Sequence, residues 1–120
     1  MLVLFDNGTP RTLARFLIGR HAVTEARARG WEELENGELL NQAEAAGFEV
    51  LVTTDKNLSY QQNLTGRKIA LVVLGQGRWT LMKPYVAKIV AAVNAAAPGS
   101  FVEVDIPFAQ KLTTQPPAQQ

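Results

Sequence analysis

Residues 2–10 read Leu2-Val3-Leu4-Phe5-Asp6-Asn7-Gly8-Thr9-Pro10, and the same pattern returns at Val50-Leu51-Val52-Thr53-Thr54-Asp55. Each begins with an unbroken apolar, β-compatible run and reaches an aspartate, directly after Phe5 in the first and after Thr53 and Thr54 in the second. A strand apolar at every position buries both of its faces, which is the habit of parallel sheets covered on two sides. Ile69 to Leu74 is a third such run, broken by Gly75-Gln76-Gly77. Because helical patterns alternate with these runs, the expected class is α/β: a three-layer α/β/α sandwich around a mainly parallel sheet of four or five strands, joined by right-handed crossovers.

Working outward, Thr9-Pro10 offers a capping hydroxyl and a proline at a first helical position. Leu13, Phe16 and Leu17 then recur at helical spacing opposite Arg11 and Arg15. His21 to Val23 suits a brief strand, and Thr24 to Arg29 a helical turn closed by Gly30. Asn36 caps a helix with Leu39, Leu40 and Ala43 inward and Gly47 as terminator, whereas Asn57 opens a short helix through about Leu64. From Leu81 the positions Tyr85, Ile89 and Val93 recur every four residues up to Pro98-Gly99, which predicts the longest helix. Phe101 to Ile106 suits an edge strand. Residues 1–106 form one expected domain, and 107–120, rich in Gln, Thr and Pro, a flexible C-terminal tail.

Composition narrows the class without naming a ligand. The 120 residues suffice for one core, and 47 % hydrophobic with 19 % charged residues is the balance of an ordinary globular domain. The absence of cysteine excludes disulfide frameworks, thiolate nucleophiles and sulfur-ligated zinc. The same absence makes a reducing compartment, the cytoplasm, the expected setting, and because no apolar run approaches the roughly 18 residues of a membrane span, no membrane partner is expected. A net charge of +1 neither demands nor forbids a polyanion, although Arg11, Arg15, Arg20, Arg27 and Arg29 crowd one early stretch beside several glutamates.

In doubly wound sheets ligands gather beyond the carboxyl ends of the strands, near the place where strand order reverses. Asp6 and Asp55 each follow a buried strand, so both are expected there, with Glu38 in the first turn of the helix begun by Asn36. Three converging carboxylates would repel one another unless a hard divalent cation or a proton relieved them, and Mg2+ or Mn2+ is the economical answer. An ion held in that way can activate water and neutralise a phosphodiester, so Asp6, Glu38 and Asp55 are the candidate catalytic and metal-binding residues. Candidate substrate contacts are Asn7, Arg11, Thr54 and Asn57. Each has a plainer role open to it: turn formation for Asp6 and Asp55, helix capping for Glu38 and Asn57, β-propensity for Thr54, and a solvated helix face for Arg11. Lone His21 is expected to be a strand-end surface residue, and Trp31 and Trp79 to pack. A phosphoryl-acceptor role for Asp6 lacks a supporting lysine after a later strand.

Leu4 to Pro10, Asn36-Gly37-Glu38-Leu39-Leu40 with Ala43, and Leu51 to Asn57 together resemble the small bacterial PIN-like domains, kin of toxin-antitoxin ribonucleases. With Ile69 to Leu74 these segments cover about three-fifths of the chain. The resemblance implies a sheet whose opening strand lies between the His21 and Val50 strands, with the Ile69 strand beyond. It further implies an Mg2+- or Mn2+-dependent endoribonuclease acting on RNA, with a cognate antitoxin protein as partner; a homodimer is also open. Asn7, Asn36 and Asn57 stand where many relatives carry acids, which favours as the alternative a PIN-like module that binds RNA or a protein without hydrolysis.

Overall fold

Apolar runs that demand cover on both faces receive it. In the computed structural model, which describes residues 1–34, 36–55 and 64–107, five strands form one all-parallel sheet. They are β1 (Leu2–Phe5), β2 (Ala22–Glu25), β3 (Val50–Thr53), β4 (Ala70–Leu74) and β5 (Phe101–Val104), in the order β2-β1-β3-β4-β5. The α-helices are α1 (Asn36–Ala45), α2 (Trp79–Met82) and α3 (Val86–Asn94). The chain is thus α/β, with helical segments against both faces of the sheet.

Alternation along each strand sorts the core into two halves. Val3, Phe5, Val50, Val52, Val72 and Leu74 point to one side and pack with Leu13, Leu17, Met82, Ile89 and Val93. Leu4, Leu51, Leu71 and Val73 point to the other and meet Leu39, Leu40 and Ala43 of α1. Every residue of β3 and β4 is buried, and each large aliphatic side chain taken fully from water contributes about 1.5–3 kcal/mol before entropy is counted. The two ends of the sheet are less apolar: β2 has no fully buried residue, and Val102 of β5 is exposed.

Several local expectations are corrected. The connection after β1 is a 3-10 helix, Arg11–Phe16, flanked by Pro10 with no side-chain cap. Its rise of about 2 Å per residue against about 1.5 Å for an α-helix returns the chain along the sheet in fewer residues. The Thr9 hydroxyl faces Asp6 Oδ1 and the Val52 carbonyl oxygen, which share its one proton, instead of capping. Phe16 is half exposed and stacks on Trp79, because so short a segment buries only Leu13 and Leu17. The predicted longest helix is divided: α2 and α3 are separated by a 3-10 turn, Lys83–Tyr85, at Pro84, whose ring and missing N–H interrupt α-helical bonding.

The strand near His21 runs on through Thr24 and Glu25, which were expected in the helical turn, so the turn closed by Gly30 is the shorter 3-10 segment Ala26–Arg29. Other expectations hold: β5 is an edge strand. Gly47 follows α1 with φ +92°, the left-handed conformation that favours glycine. Trp31 packs edge-on against Phe48, and half-buried His21 meets the Asn94 side chain at 2.6 Å. The expected helix at Asn57, the Asn36 side chain and nearly all of the expected tail lie outside the described residues. Among the described residues, no helix is long and apolar enough to cross a membrane.

Candidate functional site

The parallel register decides what stands beside Asp6. Phe5 is level with Val52, and the Asp6 N–H donates to the Val52 carbonyl at 3.1 Å, so Asp6 and Thr53 come next on adjacent strands. The Thr53 hydroxyl donates to Asp6 Oδ2 and accepts the Asp55 N–H at 3.0 Å. On the other oxygen, Oδ1 accepts the Gly8 N–H at 3.1 Å and the Thr9 hydroxyl at 2.8 Å. A carboxylate has about four acceptor positions. Three are filled by these donors, which fix the side chain and leave room for one further donor or ligand on Oδ2.

Strand order reverses between β1 and β3: the chain leaves β1 toward β2 on one side and returns to β3 on the other. Asp6 and Asp55, which follow those two strands, line one pocket of about 150 Å³ with Asn7, Gly8, Ala26, Trp31, Leu34 and Leu39. Asp6 and Asp55 thus share the lining of one pocket. Glu38 is exposed in the first turn of α1 and lines neither this pocket nor the cleft beside it, although its neighbour Leu39 is part of the pocket wall. Among the described residues, no group of three or more Asp, Glu, His or Cys is arranged to hold a metal ion.

The proposed substrate contacts are distributed around this edge. Asn7 is exposed and donates its amide to the Glu32 carbonyl at 2.6 Å, which leaves the amide oxygen as its acceptor. Thr54 is half-buried against the Gly8 turn: a Cβ at Gly8 would collide with the Thr54 hydroxyl, and one at Gly77 would lie 2.7 Å from the Gly8 carbonyl oxygen. The Gly8 and Gly77 backbones thus approach each other and the Thr54 side chain closely because neither carries a side chain of its own. Arg11 Nε lies 2.7 Å from Glu25 Oε2, and the bond and charge of Glu25 raise the guanidinium pKa above its ordinary value. Asn57 lies outside the described residues.

Four participants escaped the sequence pattern. Thr9 and Thr53 hold the Asp6 carboxylate, while Glu25 and Arg27 line a second cleft, of about 340 Å³, with Asp6, Asn7, Gly8, Thr9, Pro10 and Arg11. Glu25 had a signal available, since it closes a strand just as Asp6 and Asp55 follow theirs. The carboxyl edge of this sheet therefore joins two aspartates at the point of strand reversal to a neighbouring cleft of mixed charge. Compared with protein-family models, curated proteins and solved structures, the chain matches none.

Proposed function

We propose that the chain is a PIN-like ribonuclease dependent on a divalent cation, with Asp6 and Asp55 as its metal-holding carboxylates. The observation that carries this reading is the single pocket those two residues line at the β1/β3 reversal. The donor set suits the ion: magnesium is usually held by one or two carboxylates while it keeps several waters. When bound, it would supply charge neutralisation at a phosphodiester and a more acidic water. The protein's part is positional. Gly8, Thr9 and Thr53 hold Asp6 in one orientation, and Ala26, Trp31, Leu34 and Leu39 contribute apolar side chains to the pocket lining.

A second reading, a PIN-like module that binds RNA without cutting it, is favoured by two features. Glu38 stands outside the pocket, and three of the acceptor positions on Asp6 are already filled.

Calorimetric titration with Mn2+, run beside an RNA-cleavage assay, separates them. The nuclease reading expects Mn2+ binding and cleavage by the wild-type chain, with Asp6→Asn and Asp55→Asn each weakening Mn2+ by about tenfold or more. RNA binding with neither Mn2+ binding nor cleavage would establish the second reading in its place.

A further inference from the structure

The larger cleft is the least explained part of this edge. Its ionic lining is two guanidiniums, Arg11 and Arg27, and two carboxylates, Asp6 and Glu25, so its formal charges cancel. Arg11 has 77 % of its side-chain surface exposed and is engaged by Glu25, whereas Arg27, also exposed, makes no ion pair among the described residues. A carboxylate and a phosphate present comparable oxygens to a guanidinium. Glu25 therefore sits on Arg11 where a phosphate oxygen would sit.

We infer that this cleft is a phosphate subsite for a nucleic-acid strand crossing from β1 toward β2, with Arg27 as its standing anchor and Glu25 as an internal competitor for Arg11. The inference rests on the RNA reading above and assigns that site a second anchoring point. A phosphate entering the cleft takes Arg11 from Glu25, and Glu25 turns to solvent. The adjoining Asp6 carboxylate opposes the incoming charge. A divalent cation at Asp6 removes that opposition, so cation and phosphate favour each other's binding, and by linkage the coupling is reciprocal.

The test is fluorescence-anisotropy titration of a labelled single-stranded RNA against the full chain, with and without Mn2+, across a salt series. Glu25→Gln is expected to raise RNA affinity about three- to fivefold without Mn2+ and to steepen the salt dependence. Arg27→Ala is expected to lower RNA affinity by a similar factor with and without Mn2+, and Arg11→Ala added to Glu25→Gln should cancel the gain. These groups are on the surface, so a matched thermal melt for each variant confirms folding. If the wild-type chain binds RNA and Mn2+ but Glu25→Gln leaves RNA affinity unchanged or lower, the subsite is overturned and the nuclease reading stands. If neither the wild-type chain nor Glu25→Gln binds RNA, both fall.

Discussion

Thr53→Val tests the hydrogen-bond relay at the carboxyl edge, because it preserves side-chain shape and removes one buried hydroxyl. That hydroxyl makes two bonds, donating to Asp6 Oδ2 and accepting the Asp55 N–H. A hydrogen bond to a charged group contributes about 1.5–3 kcal/mol. The Asp55 bond adds less, since the residue is half-buried and water can reach its N–H. Burial of a methyl in place of the hydroxyl offsets part of the loss. The net destabilisation is expected to be about 2 kcal/mol, or roughly 5–10 °C in Tm for a domain of this size. Urea denaturation gives the free energy, and a cycle with Asp6→Ala gives the part that belongs to the pair. Once the carboxylate is gone, Thr53→Val should cost at least about 1 kcal/mol less than in the wild-type background. Additivity within about 0.5 kcal/mol would refute the relay, because it would mean the hydroxyl and the carboxylate do not depend on each other.

Three further outcomes are expected. Gly8→Ala should destabilise by about 1–2 kcal/mol, because its Cβ meets the Thr54 hydroxyl, and Thr54→Ala in the same chain should recover most of the loss in a thermal melt. Glu44 accepts the Lys68 N–H at 2.5 Å and bonds Arg67 at 2.9 Å, and these contacts, the Lys68 bond foremost, lower its pKa from the ordinary 4.5. Its stabilisation is therefore full above the unfolded-state pKa and lost as pH falls through the lower folded value, so urea curves of wild type and Glu44→Gln should differ near neutrality and converge in acid. Leu51→Ala, at a fully buried position in the sheet, should cost about 2–5 kcal/mol by urea denaturation.

The central strands were legible because burial on both faces leaves little freedom in residue choice. Leu2 to Phe5, Val50 to Val52 and Ile69 to Leu74 are apolar throughout, and each coincides with a strand within a residue or so. The β2 strand carries Thr24 and Glu25 on a less buried edge, so its pattern is weaker and suggests a helical turn from Thr24 in place of the strand that Glu25 closes. Spacing by three and four residues does not separate a 3-10 helix from a short α-helix, which is why Arg11–Phe16 was read only as helical. Pro84 was readable as an interruption, yet the stripe through Leu81, Tyr85, Ile89 and Val93 continues past it and hides the change in bonding.

For the site, each aspartate lies within two residues of its strand's end, so sheet geometry sets Asp6 and Asp55 at one edge and on one pocket. The position of Glu38 depends instead on how α1 slides and turns against the sheet. Hydrophobic spacing fixes which side of that helix is buried, but not its translation. Thr9 and Thr53 were hidden for another reason: their roles follow from register, which no single segment encodes.

The placement of β1 inside the sheet also governs how the chain is made. Its last residue is Phe5, whereas its inner neighbour β3 begins at Val50. A nascent chain leaving the ribosome therefore carries Val3, Leu4 and Phe5 without their β3 partners until the middle of the sequence has emerged. Contacts so distant along the chain form late. During that interval the apolar β1 segment lacks its inner cover, and Asp6 and Asp55 cannot line one pocket before residue 55 has emerged.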